Sequence, residues 1–164
     1  MTQEARANGG DAPRFAVRYY TQTGNTKKLA DAIAGMLGVP AKTLDVPVEH
    51  GTGTLFLGAS VYAAQVGSNV KEFARSLAGS GVGEVVVFST SALAQRAYPQ
   101  LKKVFEGEGI RVADENFYCR GSFGPLHKGR PNAEDIEHAA QFAKGFLNKW
   151  ARGKTRDERC RAGF

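Results

Sequence analysis

Cysteine is scarce. Cys119 and Cys160 are the only two in 164 residues, too few for the disulfide framework that staples small secreted domains. No apolar run approaches the roughly 18–20 residues that a membrane-spanning helix needs, and the first thirteen residues lack the apolar stretch of a secretory signal. A reducing cytoplasm is therefore the expected home. The twenty glycines follow no Gly-x-y period, which excludes collagen and assigns them to loops. Neither charge sign dominates strongly: 22 Lys+Arg stand against 16 Asp+Glu, a net charge of +6. Six basic and two acidic residues from Lys149 to Phe164 hold +4 of this, leaving +2 for the rest. A mildly basic body with a basic tail does not look like a nucleic-acid-binding domain, which concentrates Lys and Arg on one face with aromatic or groove-reading elements, so no nucleic-acid partner is expected.

What is present is ordinary globular composition, 42% hydrophobic and 23% charged, at a length that suits one core. Residues 1–13 read as a disordered polar leader and 14–150 as one domain. Residues 151–164 read as a basic tail, solvated or in contact with an acidic partner or anionic surface. Phe15 to Tyr20 reads as a strand, and Asn25 to Leu37 as a helix burying Leu29, Ile33, Met36 and Leu37, ended by Gly38 and Pro40. Lys42 to Val46 is a short second strand. Thr54 to Ala59 and Glu84 to Ser89 are uninterrupted apolar runs, the mark of central parallel strands covered on both faces. Helical faces fall at Val70, Phe73, Ala74 and Leu77, and again at Leu101, Val104 and Phe105. Arg111 to Tyr118 reads as a fifth strand. Asn132 makes an N-cap with Asp135 three residues on, ahead of a helix burying Ile136, Ala140, Ala143, Leu147 and Trp150.

Strands alternating with helices mean parallel βαβ units. The connection between the second and third strands is short, eight residues from Asp45 to Thr54. Eight extended residues reach about 26 Å, while the return along a strand and across two strand spacings needs about 20 Å. The crossover closes without a helix.

The chemistry sits in loops. Thr21-Gln22-Thr23-Gly24-Asn25-Thr26 lies between a strand and a helix N-terminus, where backbone N–H groups lack partners and the helix dipole is positive. Threonine hydroxyls can donate to an anion, and Gly24 lets the backbone come close. The loop matches neither the Lys-bearing triphosphate pattern nor the dinucleotide glycine pattern, so it suits a phosphomonoester; a plain Thr-capped helix is the other reading. The histidines show no ligand spacing for a metal. Cys119 reads as a small strand-core residue.

The Thr-x-Thr-Gly-Asn-Thr loop resembles the phosphate signature of flavodoxins, and the resemblance runs from about Phe15 to Trp150. It implies a flavodoxin-like α/β fold: a doubly wound five-stranded parallel sheet of order 2-1-3-4-5 with helices on both faces, and FMN bound where the order reverses. Thr21 to Thr26 would then hold the phosphate. In Gly58-Ala-Ser-Val-Tyr-Ala-Ala64, Ser60, Val61, Tyr62 and Ala63 would meet the isoalloxazine ring, with Tyr62 stacked on its face. Many flavodoxins carry glycine after this aromatic, where the peptide flips to give flavin N5 an acceptor; here it is Ala63. Ser89, Thr90 and Ser91 would address the pyrimidine edge, and Phe123, with Gly121 and Ser122, would approach from the next loop. His127, Lys128 and Arg130 on that side read as solvated charges or as a docking patch.

The function so implied is an electron carrier that passes single electrons from a reductase to a terminal redox enzyme. Flavodoxins are typically acidic, whereas this chain carries +6, so partners with acidic docking surfaces are expected here, and the chain is read as a monomer. Short flavodoxin-fold proteins with a similar Gly-Ala-Ser segment include quinone-coupled protoporphyrinogen oxidases. The alternative is therefore an FMN-dependent oxidoreductase acting on a tetrapyrrole or quinone. A relative that has lost flavin and serves as an interaction domain is a third.

Overall fold

The computed structural model describes residues 14–60, 68–91, 97–122, 125 and 128–162, the last ten as backbone only. The elements in chain order are β1 (Phe15–Tyr19), α1 (Asn25–Leu37), β2 (Ala41–Thr43), β3 (Thr54–Ser60), α2 (Ser68–Ser76), β4 (Glu84–Ser91), α3 (Ala97–Gly107), β5 (Phe117–Arg120) and α4 (Ala133–Ala162). All strand pairs are parallel and the order is β2-β1-β3-β4-β5, as the sequence patterning and resemblance imply.

Side-chain alternation divides the core in two. Phe15, Val17, Tyr19, Phe56, Val86, Phe88 and Cys119 face α1 and α4. Leu55, Leu57, Ala59, Val85 and Val87 face α2 and α3. Every residue of β3 is buried, which explains a run with no polar alternation. On α4 the buried face is Ala139 and Ala143, with Phe142, Phe146, Leu147 and Trp150 packed against the same core. Burial holds the Cys119 thiol far above its usual range, at about 12, so it stays an uncharged core group.

The helix-free crossover between β2 and β3 is held by a buried cation. Arg18 lies on β1 between Ala16 and Tyr20, on the α2/α3 face, and is only 6% exposed. Its Nε donates to the Val46 carbonyl at 2.8 Å, Nη2 to Pro47 at 2.6 Å and Nη1 to Val17 at 3.0 Å. Leu44 and Val48 pack against the same core. A loop thus covers the part of β1 that a helix would otherwise cover.

Two boundaries differ from the sequence reading. The second strand is Ala41–Thr43 rather than Lys42 to Val46, because Val46 and Pro47 turn back onto Arg18. The fifth strand is not continuous from Arg111. Val112 pairs with Val85 and Phe117 with Phe88, so five steps along one chain oppose three along the other. Asp114, Glu115 and Asn116, all poor strand formers, loop outward before β5 rejoins the sheet. α4 runs on to Ala162, past the Trp150 at which the sequence reading ends the last helix.

Candidate functional site

The chain leaves β1 for β2 on one side and reaches β3 on the other, so the order reverses beside β1; in open α/β sheets the carboxyl ends of the strands at such a reversal are where a binding crevice forms. The loop from Tyr20 to Gly24 forms its floor. The Tyr20 amide still pairs with the Gly58 carbonyl at 3.0 Å. The Thr21 hydroxyl then accepts from the Gly24 amide at 2.9 Å, closing a tight turn. Gly24 is the N-cap of α1 in the left-handed conformation, φ 88°, and provides no side-chain cap. A side chain cannot adopt that φ without strain. Among the described residues no side chain caps the first turn of α1, so its amides are available to an anion. Thr23 is exposed at its rim. Gln22 turns aside, donating to the Tyr20 hydroxyl at 3.1 Å. Lys27 is paired with Asp31 at 2.8 Å along the helix surface.

Below the loop three hydroxyls converge. Thr26 Oγ1 is 2.6 Å from Ser60 Oγ and 3.0 Å from Thr90 Oγ1, and all three residues are buried. The cluster joins the start of α1 to the ends of β3 and β4. Hydroxyl protons rotate, so it can turn a donor outward to an anion above it. Ser89 projects from the opposite face, level with Ala59, and its buried Oγ has no hydrogen-bond partner among the described residues. The Ser91 carbonyl accepts from the Gly121 amide at 3.3 Å.

Asn25 ties in the next loop. Its Nδ2 donates to the Ser122 carbonyl at 2.9 Å, and the Ser122 amide donates to the Arg130 carbonyl at 2.9 Å. Arg130 is in turn locked to Asp135, with Nε on Oδ2 at 2.5 Å and Nη2 on Oδ1 at 2.7 Å. Asp135 also accepts from the Asn132 amide, and Asn132 Oδ1 accepts from the Asp135 amide, both at 2.9 Å. This is the reciprocal cap read from the sequence, with a cation added. A candidate docking charge, Arg130, is thus compensated within the fold, whereas Lys128 is exposed.

The hydrogen bond from Arg130 holds the Asp135 carboxyl below its usual range. A depressed carboxylate contributes stability that is present above the unfolded value of about 3.9 and lost as pH falls through the folded one. Urea midpoints measured between pH 6 and pH 3, an interval of about three units around that value, should therefore fall more steeply for the wild type than for Asp135→Asn. Parallel profiles would contradict this pairing.

Thr21 to Thr26, Ser60 and Thr90 come together at one crevice, and Ser89 and Ser91 end the adjoining strand. Val61, Tyr62, Ala63, Phe123 and His127 lie outside the described residues. Sequence reasoning missed Gly58. A side chain there would enter Phe88 and Thr26, and a lone glycine inside an apolar strand is the signal that marks such an approach. It also missed the Asn25–Ser122 link, which no local pattern announces.

No family model matches the chain. It is 25% identical over 137 residues to "Uncharacterized protein MJ0298" of Methanocaldococcus jannaschii, spanning 75% of this chain and 90% of that one. Among solved structures it is similar to a flavodoxin from the domain Archaea, with TM-score 0.64, 16% identity, and coverage of 82% of this chain and 96% of that one. It is likewise similar to oxidised Flavodoxin 2 from Bacillus cereus, with TM-score 0.59, 19% identity and coverage of 83% and 99%. The rubredoxin oxygen:oxidoreductase of Desulfovibrio gigas gives TM-score 0.61 at 13% identity, over 79% of this chain but 34% of that one. Identities this low speak to architecture, and the architecture agrees from β1 to α4: the chain has the flavodoxin-like fold.

Proposed function

We propose that the protein binds FMN noncovalently and carries single electrons between a reductase and a terminal redox enzyme. The observation that carries this reading is the uncapped start of α1 behind Gly24, flanked by threonine hydroxyls at the switch point of the sheet. The donor set fits a phosphomonoester: neutral hydroxyls and amides, with Lys27 committed to Asp31. The amides of the first turn and the Thr21 and Thr23 hydroxyls would hold the phosphate, and the Thr26–Ser60–Thr90 cluster would brace it from below. The isoalloxazine supplies the redox chemistry when bound; this chain's residues position it and limit its contact with water. Partners approaching this end would meet the exposed Lys128, which favours an acidic docking surface.

FMN and riboflavin titrations test the reading. FMN should bind far more tightly than riboflavin, which lacks the phosphate. Thr23→Ala should remove about 1.5–3 kcal/mol of FMN binding, the scale of a hydrogen bond to a charged group, and leave riboflavin binding unchanged. Equal affinities for the two flavins would refute the loop assignment. Rapid reduction of the bound flavin by a quinol or reduced tetrapyrrole, without a protein partner, would favour an oxidoreductase instead.

A further inference from the structure

Asn25 stands one residue too late to cap its own helix. At the N-cap an asparagine side chain accepts from an amide two or three residues on, but that position belongs to Gly24, which provides no side-chain cap. Asn25 is instead the first residue of α1, and its backbone amide is one of the donors that the helix itself cannot satisfy. Its side chain goes elsewhere. Nδ2 donates to the Ser122 carbonyl at 2.9 Å, across 97 residues, and the residue is only 6% exposed. Asn25 thus belongs to the candidate anion position through its main chain and to the exit of β5 through its side chain.

The exit of β5 lies directly against it. The amide of the buried Gly121 donates to the Ser91 carbonyl at 3.3 Å. A Cβ at Gly121 would stand 2.9 Å from Asn25 Nδ2 and 3.2 Å from Thr90 Cβ, so the close approach needs a glycine. Ser122 carries the contact onward. Its carbonyl accepts from Asn25 while its amide donates to the Arg130 carbonyl at 2.9 Å, so a displacement of Ser122 disturbs both bonds. Arg130 holds Asp135, and Asp135 closes the cap of α4 with Asn132. Hydrogen bonds therefore run in an unbroken series from the first turn of α1 to the first turn of α4.

We infer that Asn25 is a positioning residue, which couples an anion on the first-turn amides of α1 to the setting of Ser122 at the β5 exit. The anion fixes the backbone of Asn25 in its helical place, and the side chain passes that restraint to Ser122 and on to Arg130. Coupling of this kind is reciprocal, so whatever holds Ser122 in place also favours the anion. The coupling rests on the phosphate reading of this crevice and adds regulation to it. Ser122 and Arg130 close the base of the segment that carries Lys128, so a partner docking there meets a firmer junction in the loaded protein than in the empty one.

Amide-resolved hydrogen exchange of the full chain tests this, with inorganic phosphate as the probe and sodium chloride of equal ionic strength as the reference. Inorganic phosphate has no flavin ring to touch Ser122 itself. At a concentration that saturates the response of the Thr26 and Lys27 amides, the Ser122 amide should exchange at least about fivefold more slowly. The Gly109 amide, bonded to the Glu106 carbonyl at 3.0 Å beyond the end of α3, should not respond. In Asn25→Ala the Thr26 and Lys27 amides should still slow with phosphate, while the Ser122 amide should lose its response. Gly121→Ala crowds the Asn25 amide without removing a hydrogen-bonding group and should reduce the response as well. A role confined to stability would raise the Ser122 rate in Asn25→Ala but leave its ratio with and without phosphate as in the wild type, and that result would overturn the proposal. A wild-type Ser122 amide that ignores phosphate while Thr26 and Lys27 respond overturns the coupling and leaves the phosphate reading standing. If Thr26 and Lys27 do not respond either, both fall.

Discussion

Gly58→Ala should destabilise the protein by about 2–3 kcal/mol, the cost of overpacking a filled core, and should weaken FMN binding at the same time. A Cβ at this position would stand 2.3 and 2.5 Å from Phe88 Cε2 and Cζ and 2.8 Å from Thr26 Cγ2. Phe88 is fully buried and has no room to swing. Thr26 lies in the first turn of α1 and anchors the hydroxyl cluster, so the strain passes directly into the candidate site. Gly35→Ala is the matched control. Gly35 lies in α1 with nothing within 4 Å of a new Cβ, and alanine there should add about 0.5–1 kcal/mol through helix propensity. Urea denaturation of both variants separates the two expectations. If Gly58→Ala proves as stable as Gly35→Ala, the ring of Phe88 does not lie over Gly58.

The second large effect belongs to Arg18. Arg18→Met preserves volume and apolar packing but strips the Val46 and Pro47 carbonyls of their donors. Each acceptor left unpaired costs about 1–3 kcal/mol. Relief of the buried charge offsets part of this; burial already holds the guanidinium below its ordinary pKa. A net loss of about 2–4 kcal/mol is expected, with faster hydrogen exchange across residues 44–53. Arg18→Lys keeps the charge but not the planar fork that reaches both carbonyls. It should therefore recover little of the loss. Full stability in Arg18→Lys would mean that charge, not the bridging geometry, holds the crossover.

Much of the molecule was legible in the chain because the relevant physics is local. The apolar runs at Thr54 to Ala59 and Glu84 to Ser89 can be satisfied only by strands covered on both faces. The spacing of Leu29 and Ile33 marks one buried helix face, and the cap at Asn132 and Asp135 spans three residues. Chain length alone showed that the β2–β3 crossover could close without a helix. The loop from Thr21 to Thr26 was legible for the same reason: a turn, a left-handed glycine and a helix start lie within six residues.

Tertiary structure decided what depends on pairs far apart. Thr26 meets Ser60 across 34 residues and Thr90 across 64, and Asn25 meets Ser122 across 97. No periodicity encodes such meetings. Arg18, a lone charge within the strand Phe15 to Tyr20, is buried because the crossover folds over it and supplies carbonyls that satisfy a guanidinium. Arg130 read as a free charge on a loop until the fold set it beside Asp135. The interruption before β5 likewise follows from the sheet: two additional residues must leave the ladder for Phe117 to pair with Phe88. A chain specifies its elements through neighbours along the sequence, whereas the partners of its polar side chains are chosen only once packing has brought distant strands and loops together.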